Sequence, residues 1–189
     1  MVDKYEMMND FYFKYVSLDN HDVILSETRQ YTLQEVKKIT KPGFALLDDV
    51  QQFIIHCPIF YNWVKTQGLE ISKVAVHILE PNTVGYLHKD GCSEQSYLAL
   101  NMDMQNCAGT QTKFLVPLTE GKEFKTLNGA LSYTVYEGAD AFPEICFYDL
   151  EKPVIFNISQ PHRVYNLKDT TRISLSIRFV NNPLHLINT

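Results

Sequence analysis

The spacing of apolar residues changes once along the chain, near residue 70. Before it, residues 11 to 25 alternate loosely, with Phe11, Phe13 and Tyr15 and then Val23 and Leu25 as apolar positions. The break at Leu18-Asp19-Asn20-His21-Asp22 reads as the turn of a hairpin. Thr32-Leu33-Gln34-Glu35 has the capping-box pattern and predicts a short helix through Ile39, stopped by Pro42-Gly43. After Asp48-Asp49, the apolar positions Val50, Phe53, Ile54 and Cys57 share one helical face. Pro58 suits the first turn of a further helix through Lys65, and Gly68 suits its end, with Trp63 packed in the core.

From Lys73 onward the period becomes that of strands. Residues 74–79, 97–102, 109–116, 154–158 and 172–179 each predict one, separated by turn-forming residues. Helices first and many short strands afterwards indicate an α+β, β-rich chain: a sandwich or barrel with the N-terminal helices packed on one sheet. A length of 189 residues suits a single domain. Within it, residues 1–70 support the barrel, 71–180 form its core with 118–150 as a substrate-side insert, and 181–189 are a tail. In the last strand Ile173, Leu175, Ile177 and Phe179 occupy one face, and Arg172, Ser174, Ser176 and Arg178 the other. That polar face either meets solvent or lines a polar cavity inside a barrel.

Composition narrows the classes. The chain is 45% apolar and 12% aromatic, enough for a substantial core, and no stretch reaches the roughly 20 apolar residues of a membrane span. Met1-Val2-Asp3-Lys4-Tyr5-Glu6 lacks the basic and apolar segments of a secretory signal. A net charge of −5 without a Lys/Arg cluster argues against nucleic acid as a partner. Cys57, Cys92, Cys107 and Cys146 are irregularly spaced, which predicts free thiols in a reducing cytoplasm.

The candidate chemistry lies in Gly85-Tyr86-Leu87-His88-Lys89-Asp90-Gly91. In an extended strand His88 and Asp90 project to one face and Lys89 to the other. His162 follows far downstream, in Ser159-Gln160-Pro161-His162-Arg163-Val164. Two histidines and one carboxylate, with positions left open, form the ligand set of non-haem Fe(II) oxygenases. His56 and His77 read as packing or surface residues, His21 as a turn residue and His185 as part of a mobile tail. Glu94 is an alternative carboxylate with poorer spacing.

His88-Lys89-Asp90, His162 and Arg172-Ile173-Ser174 together resemble the H-x-D…H…R-x-S signature of the Fe(II)- and 2-oxoglutarate-dependent dioxygenases. The arginine follows the distal histidine by ten residues (172 − 162). Gly68-Leu69, Ala99-Leu100-Asn101, Cys107-Ala108-Gly109-Thr110-Gln111-Thr112 and Pro161 to Val164 are similar to segments of small bacterial and phage members. The resemblance covers roughly residues 68 to 180. It implies a double-stranded β-helix of the jelly-roll, cupin-like kind. It implies Fe(II) on His88, Asp90 and His162, and 2-oxoglutarate chelating the metal, its far carboxylate held by Arg172 with Ser174 assisting. It implies a hydroxylase reaction that takes O2 and releases succinate and CO2.

Elementary chemistry agrees with these roles. Arg172 offers a planar fork that a carboxylate matches with two hydrogen bonds. Arg178 lies on the same face but about 20 Å further along, too far to serve the same carboxylate. Asn101, Thr112 and Tyr86 are candidates to touch the cosubstrate or substrate, with plain packing as the alternative. The aromatics of 118–150, including Tyr133 and Tyr136, and the Asn128-Gly129 turn predict hairpins and a lid over the iron, or simply completion of the sheet. The substrate is a small molecule or a protein residue, its identity and the oligomeric state unspecified by the sequence. Two other readings share this fold: a cupin-like metal protein that does not use 2-oxoglutarate, and a non-catalytic β-sandwich binding module.

Overall fold

The computed structural model describes residues 11–47, 49–91, 96–125, 132–138 and 142–188. The N-terminal region differs from the hairpin that its alternation predicts. A short strand β1, Phe13–Tyr15, is followed by a long helix α1, His21–Val36. His21 therefore begins a helix rather than lying in a turn. Its start at Asn20, in the left-handed region (φ 58°), carries no side-chain cap. Thr32 lies well inside α1, so the capping-box reading is wrong: Thr32 is buried, and among the described residues its hydroxyl has no hydrogen-bond partner. The alternation was misleading because Ile24, Thr28, Tyr31 and Thr32 are the buried side of α1, a helical spacing.

The next elements follow the sequence closely. Strand β2, Gly43–Leu46, leads to α2, Val50–His56, and α3, Pro58–Thr66. Asp49 caps α2, its carboxylate accepting hydrogen bonds from the N–H groups of Gln51 (2.9 Å) and Gln52 (3.1 Å). Pro58 stands in the first turn of α3, and Gly68 just past its end takes φ +65°. Glu27 on α1 accepts hydrogen bonds from the N–H groups of Ile59 and Phe60, tying α1 to the exposed amides that open α3.

The remaining strands are β3 (Ile71–Leu79), β4 (Thr83–Val84), β5 (His88–Asp90), β6 (Leu98–Gln105), β7 (Gln111–Leu115), β8 (Gly121–Lys125), β9 (Ser132–Tyr136), β10 (Glu144–Asp149), β11 (Val154–Asn157), β12 (His162–Asn166) and β13 (Arg172–Phe179). They form two antiparallel sheets, ordered β1-β11-β6-β13-β3-β2 and β10-β7-β12-β5-β9-β8, with β4 paired to β12. β8 and β9 form the hairpin expected within 118–150, while Asn128-Gly129, Cys92 and Glu94 lie outside the described residues. The C-terminal segment is not a loose tail: Leu184–Leu186 is a 3₁₀ turn, its leucines pack on the core, and Lys14 Nζ donates to the Ile187 carbonyl at 3.0 Å.

The sheets face each other as a jelly roll. Two side-chain hydrogen bonds bridge them: Asn101 on β6 reaches Tyr148 on β10, and Arg178 on β13 reaches Asp90 on β5. All three helices pack on the outer face of the first sheet. There Ile24, Phe53, Phe60 and Trp63 meet Val74, Val76, Leu100, Leu175 and Ile177 in one core. A second cluster, with Phe114, Tyr148, Val154 and Phe156, closes the space between the sheets at the β11 and β10 end. Strand β13 is thus buried on both faces, its apolar side against the helices and its polar side toward the interior. This decides between the two readings of its alternation in favour of a lined cavity.

Among the described residues no helix is long and apolar enough to cross a membrane. Leu175 is fully buried at the centre of the first sheet, paired with Val76 and Met102. Truncating it removes fully buried methyl groups and leaves a cavity, so Leu175→Ala is expected to cost about 2–5 kcal/mol in urea denaturation. A change below about 0.5 kcal/mol would show that the helices do not rest on this strand.

Candidate active site

The short strand β5 carries the first two functional side chains. It pairs on one side with β12, which places His162 directly opposite His88, and on the other with β9, which places Val135 beside His88 and Tyr133 beside Asp90. Gly91 permits this approach, because a Cβ there would meet the Ser132 carbonyl oxygen at 2.8 Å and its hydroxyl closer still. His88, Asp90 and His162, three residues chosen from the sequence, come together, with one ligand atom from each within 4.8 Å of the others.

Both imidazoles are oriented for metal binding. His88 Nδ1 lies 2.9 Å from the Tyr86 carbonyl, and His162 Nδ1 lies 2.8 Å from the Gln160 carbonyl. A carbonyl only accepts, so Nδ1 carries the hydrogen in each ring and the Nε2 lone pair is free to face a cation. The two rings are 4.4 Å apart, and His88 Nε2 is 3.8 Å from Asp90 Oδ1. Burial is the main cause that pushes the His162 pKa down to about 4, with the neighbouring His88 adding to it. His162 is therefore neutral at neutral pH, as a ligand must be.

Asp90 is held from the opposite sheet. Arg178 Nη2 donates to Asp90 Oδ2 at 2.6 Å, which leaves Oδ1 turned toward the histidines. The sequence reading considered Arg178 only as an anion partner for a cosubstrate, and its separation from Arg172 is consistent with the different task it has here. Alternation showed which way Arg178 points; nothing in a linear sequence shows which carboxylate waits there.

A cavity of about 580 Å³ joins this triad to the rest of the predicted site. Arg172, Ser174, Asn101, Thr112 and Tyr86 all line it. Arg172 is 1% exposed; its Nε donates to Thr110 Oγ1 (3.0 Å) and its Nη1 to Ser174 Oγ (2.8 Å). No carboxylate among the described residues lies within 4.0 Å of that guanidinium. Asn101 and Thr112 are buried, and both bond to the Tyr148 hydroxyl. Burial pushes the Tyr148 pKa up to about 12, so its hydroxyl stays protonated. Tyr148 carries no signal in the sequence, because its strand, Glu-Ile-Cys-Phe-Tyr-Asp, has no clean alternation. Tyr86, 79% exposed, stands at the mouth.

Of the other candidates, His56 stacks on Tyr31, outside the cavity, whereas His77 lines it without joining the triad. Cys57, Cys107 and Cys146 are free thiols. Burial pushes Cys57 and Cys107 up to about 12, which removes them as nucleophiles at neutral pH.

No family model and no curated protein sequence matches the chain. Solved structures do. A Pseudomonas putida prolyl-4-hydroxylase is 12% identical over 94% of this chain and 96% of that one, with a TM-score of 0.52. SnoK, a non-heme alpha-ketoglutarate-dependent carbocyclase from nogalamycin biosynthesis, is 11% identical over 95% and 83%, with a TM-score of 0.52. HygX from Streptomyces hygroscopicus, solved with nickel and 2-oxoglutarate bound, is 9% identical over 95% and 86%, with a TM-score of 0.52. At such identities the likeness is one of fold: the chain shares the jelly-roll, cupin-like architecture of these structures.

The Arg178–Asp90 pair fixes the rotamer of the one anionic member of the triad. Arg178→Met is expected to weaken Mn(II) binding about ten- to a hundredfold, measured by calorimetric titration. Wild-type affinity in that variant would mean that Asp90 is oriented without it.

Proposed function

We propose that the protein is an Fe(II)- and 2-oxoglutarate-dependent oxygenase of the hydroxylase type. The observation that carries this reading is Arg172, a buried cation without a carboxylate partner among the described residues, in the cavity that also holds the metal-capable triad. A buried guanidinium left unpaired is costly, and a dianionic keto acid supplies the missing charge. The donor set fits the metal as well: two neutral imidazoles and one carboxylate leave a divalent ion a net positive charge and open positions.

In this reading His88, Asp90 and His162 hold Fe(II). Arg172 binds the far carboxylate of 2-oxoglutarate through the guanidinium edge that Thr110 and Ser174 do not occupy. Thr110 and Ser174 orient the guanidinium, and Asn101 and Thr112 give the cosubstrate pocket hydrogen-bonding walls, with Asn101 held from behind by the Tyr148 hydroxyl. Phe114 and Phe156, packed around His162, keep water from that side of the metal. When iron, 2-oxoglutarate and O2 are bound, the centre supplies the oxidation of a substrate C–H bond to an alcohol, coupled to release of succinate and CO2. The β8–β9 hairpin brings Tyr133 and Val135 beside the triad, which supports reading 118–150 as the substrate-side segment. Arg172 also separates this reading from a cupin-like protein that does without the keto acid, since such a protein has no use for an unanswered guanidinium there.

Thermal unfolding tests the assignment, because a ligand bound only by the folded state raises the midpoint. Mn(II) is expected to raise it, and 2-oxoglutarate to raise it further only when the metal is present. His162→Ala should abolish both shifts, whereas Arg172→Lys should keep the metal shift and weaken 2-oxoglutarate at least tenfold. A metal shift without any response to 2-oxoglutarate would overturn the proposal.

A further inference from the structure

The two sheets divide the cavity into unlike halves. Under β6, β7, β10 and β12 it is closed by the aromatic cluster and holds the polar groups that suit the cosubstrate. Under β2, β3 and β9 it opens toward the sheet edges. There Phe44 on β2 pairs with His77 on β3, and His77 with Ser174 on β13, so one row of side chains runs from the open edge to the cosubstrate pocket.

His77 is a half-buried imidazole in the cavity wall. Its ring meets Phe44 at 6.4 Å between centroids, and among the described residues it makes no hydrogen bond. Burial, reinforced by Arg172, His88 and His162, pushes its pKa down to about 3. At neutral pH it is an imidazole with one N–H to donate and one nitrogen to accept. Apart from histidines, the ionic side chains among the described cavity-lining residues are Asp90 and Arg172, both already used. The rest of this half is uncharged among the described residues: Thr83 and Ser176 add hydroxyls to an otherwise aromatic and aliphatic lining, and Phe44, Val84 and Tyr86 leave large apolar surface exposed at its rim.

On the oxygenase reading above, we propose that this half is the substrate subsite, that it takes an uncharged molecule bearing a flat ring, and that His77 hydrogen-bonds a polar group on that molecule. Phe44, Tyr86 and Tyr133 offer ring faces and edges for stacking. A zwitterion, a phosphate or an ammonium group would find no counter-charge among the described side chains there and would lose its hydration. A cavity of about 580 Å³ falls within the range of about 300–1,000 Å³ usual for small-molecule sites, with room beside a five-carbon cosubstrate.

The test uses three isosteric probes, benzamide, benzoate and benzylamine, with the whole chain loaded with Mn(II) and 2-oxoglutarate. The paramagnetic ion broadens the proton lines of any probe that sits beside it. Benzamide is expected to be broadened most. His77→Phe should weaken it at least tenfold without changing 2-oxoglutarate affinity, and His77→Gln, which keeps a donor and an acceptor, should restore part of the loss. Preference for either charged probe overturns the inference. So does a His77→Phe protein that binds benzamide normally, or that loses 2-oxoglutarate instead. Should His77→Phe fail to fold, the ranking of the probes and the Gln variant still decide. If Mn(II) and 2-oxoglutarate bind but no probe is broadened, the subsite assignment falls alone; if they do not bind, the oxygenase reading falls and this inference with it.

Discussion

A buried positive charge needs an answer, and strand β13 buries two. Its polar face presents Arg172 and Arg178 to the interior while its apolar face supports all three helices. Arg178 is answered within the chain by Asp90 on the opposite sheet. Among the described residues Arg172 is answered by hydroxyls, which accept its hydrogen bonds and do not cancel its charge. One arginine therefore orients the carboxylate of the His88, Asp90 and His162 triad, and the other keeps a charge that no described side chain cancels. Much of the site follows from that division: the β5–β12 pairing sets the imidazoles, the ion pair sets the carboxylate, and the cavity runs from there to the unanswered guanidinium.

The parts of this arrangement that sequence discloses are those set by short-range rules. His88 and Asp90 two residues apart, Arg172 and Ser174 likewise, and the strict alternation of β13 each follow from a strand period of two, and all fall where that period places them. Asp49, Pro58 and Gly68 mark helix ends by local backbone chemistry, and they do so here. The failures are equally physical. Thr32-Leu33-Gln34-Glu35 satisfies a capping pattern, yet it lies inside α1, because burial of Ile24, Tyr31 and Thr32 against the sheet extends one helix through the site of the expected start. The residues just before it alternate by coincidence of a helical face with aromatic β1. Arg178 and Tyr148 escaped assignment because their partners, Asp90 and Asn101, lie on other strands, and pairing across a sandwich is not written in local spacing.

The structural relatives share this architecture at 9–12% identity, so they speak for the fold, and the chemistry rests on the chain's own side chains. Within that architecture the two halves of the cavity have different characters. One is closed and polar, and suits a small dianion. The other is open and, among the described residues, lined by Phe44, Tyr86, Tyr133 and Val135 with the His77 imidazole beside them.

The central claim is that one cavity holds a divalent iron on His88, Asp90 and His162 together with a keto acid anchored by Arg172. Anaerobic optical titration of the Fe(II)-loaded protein examines it most directly, because a keto acid chelating Fe(II) gives a visible charge-transfer band that neither component shows alone. The account predicts that the band grows saturably with 2-oxoglutarate. A protein that binds Fe(II) and develops no band at any 2-oxoglutarate concentration would contradict it.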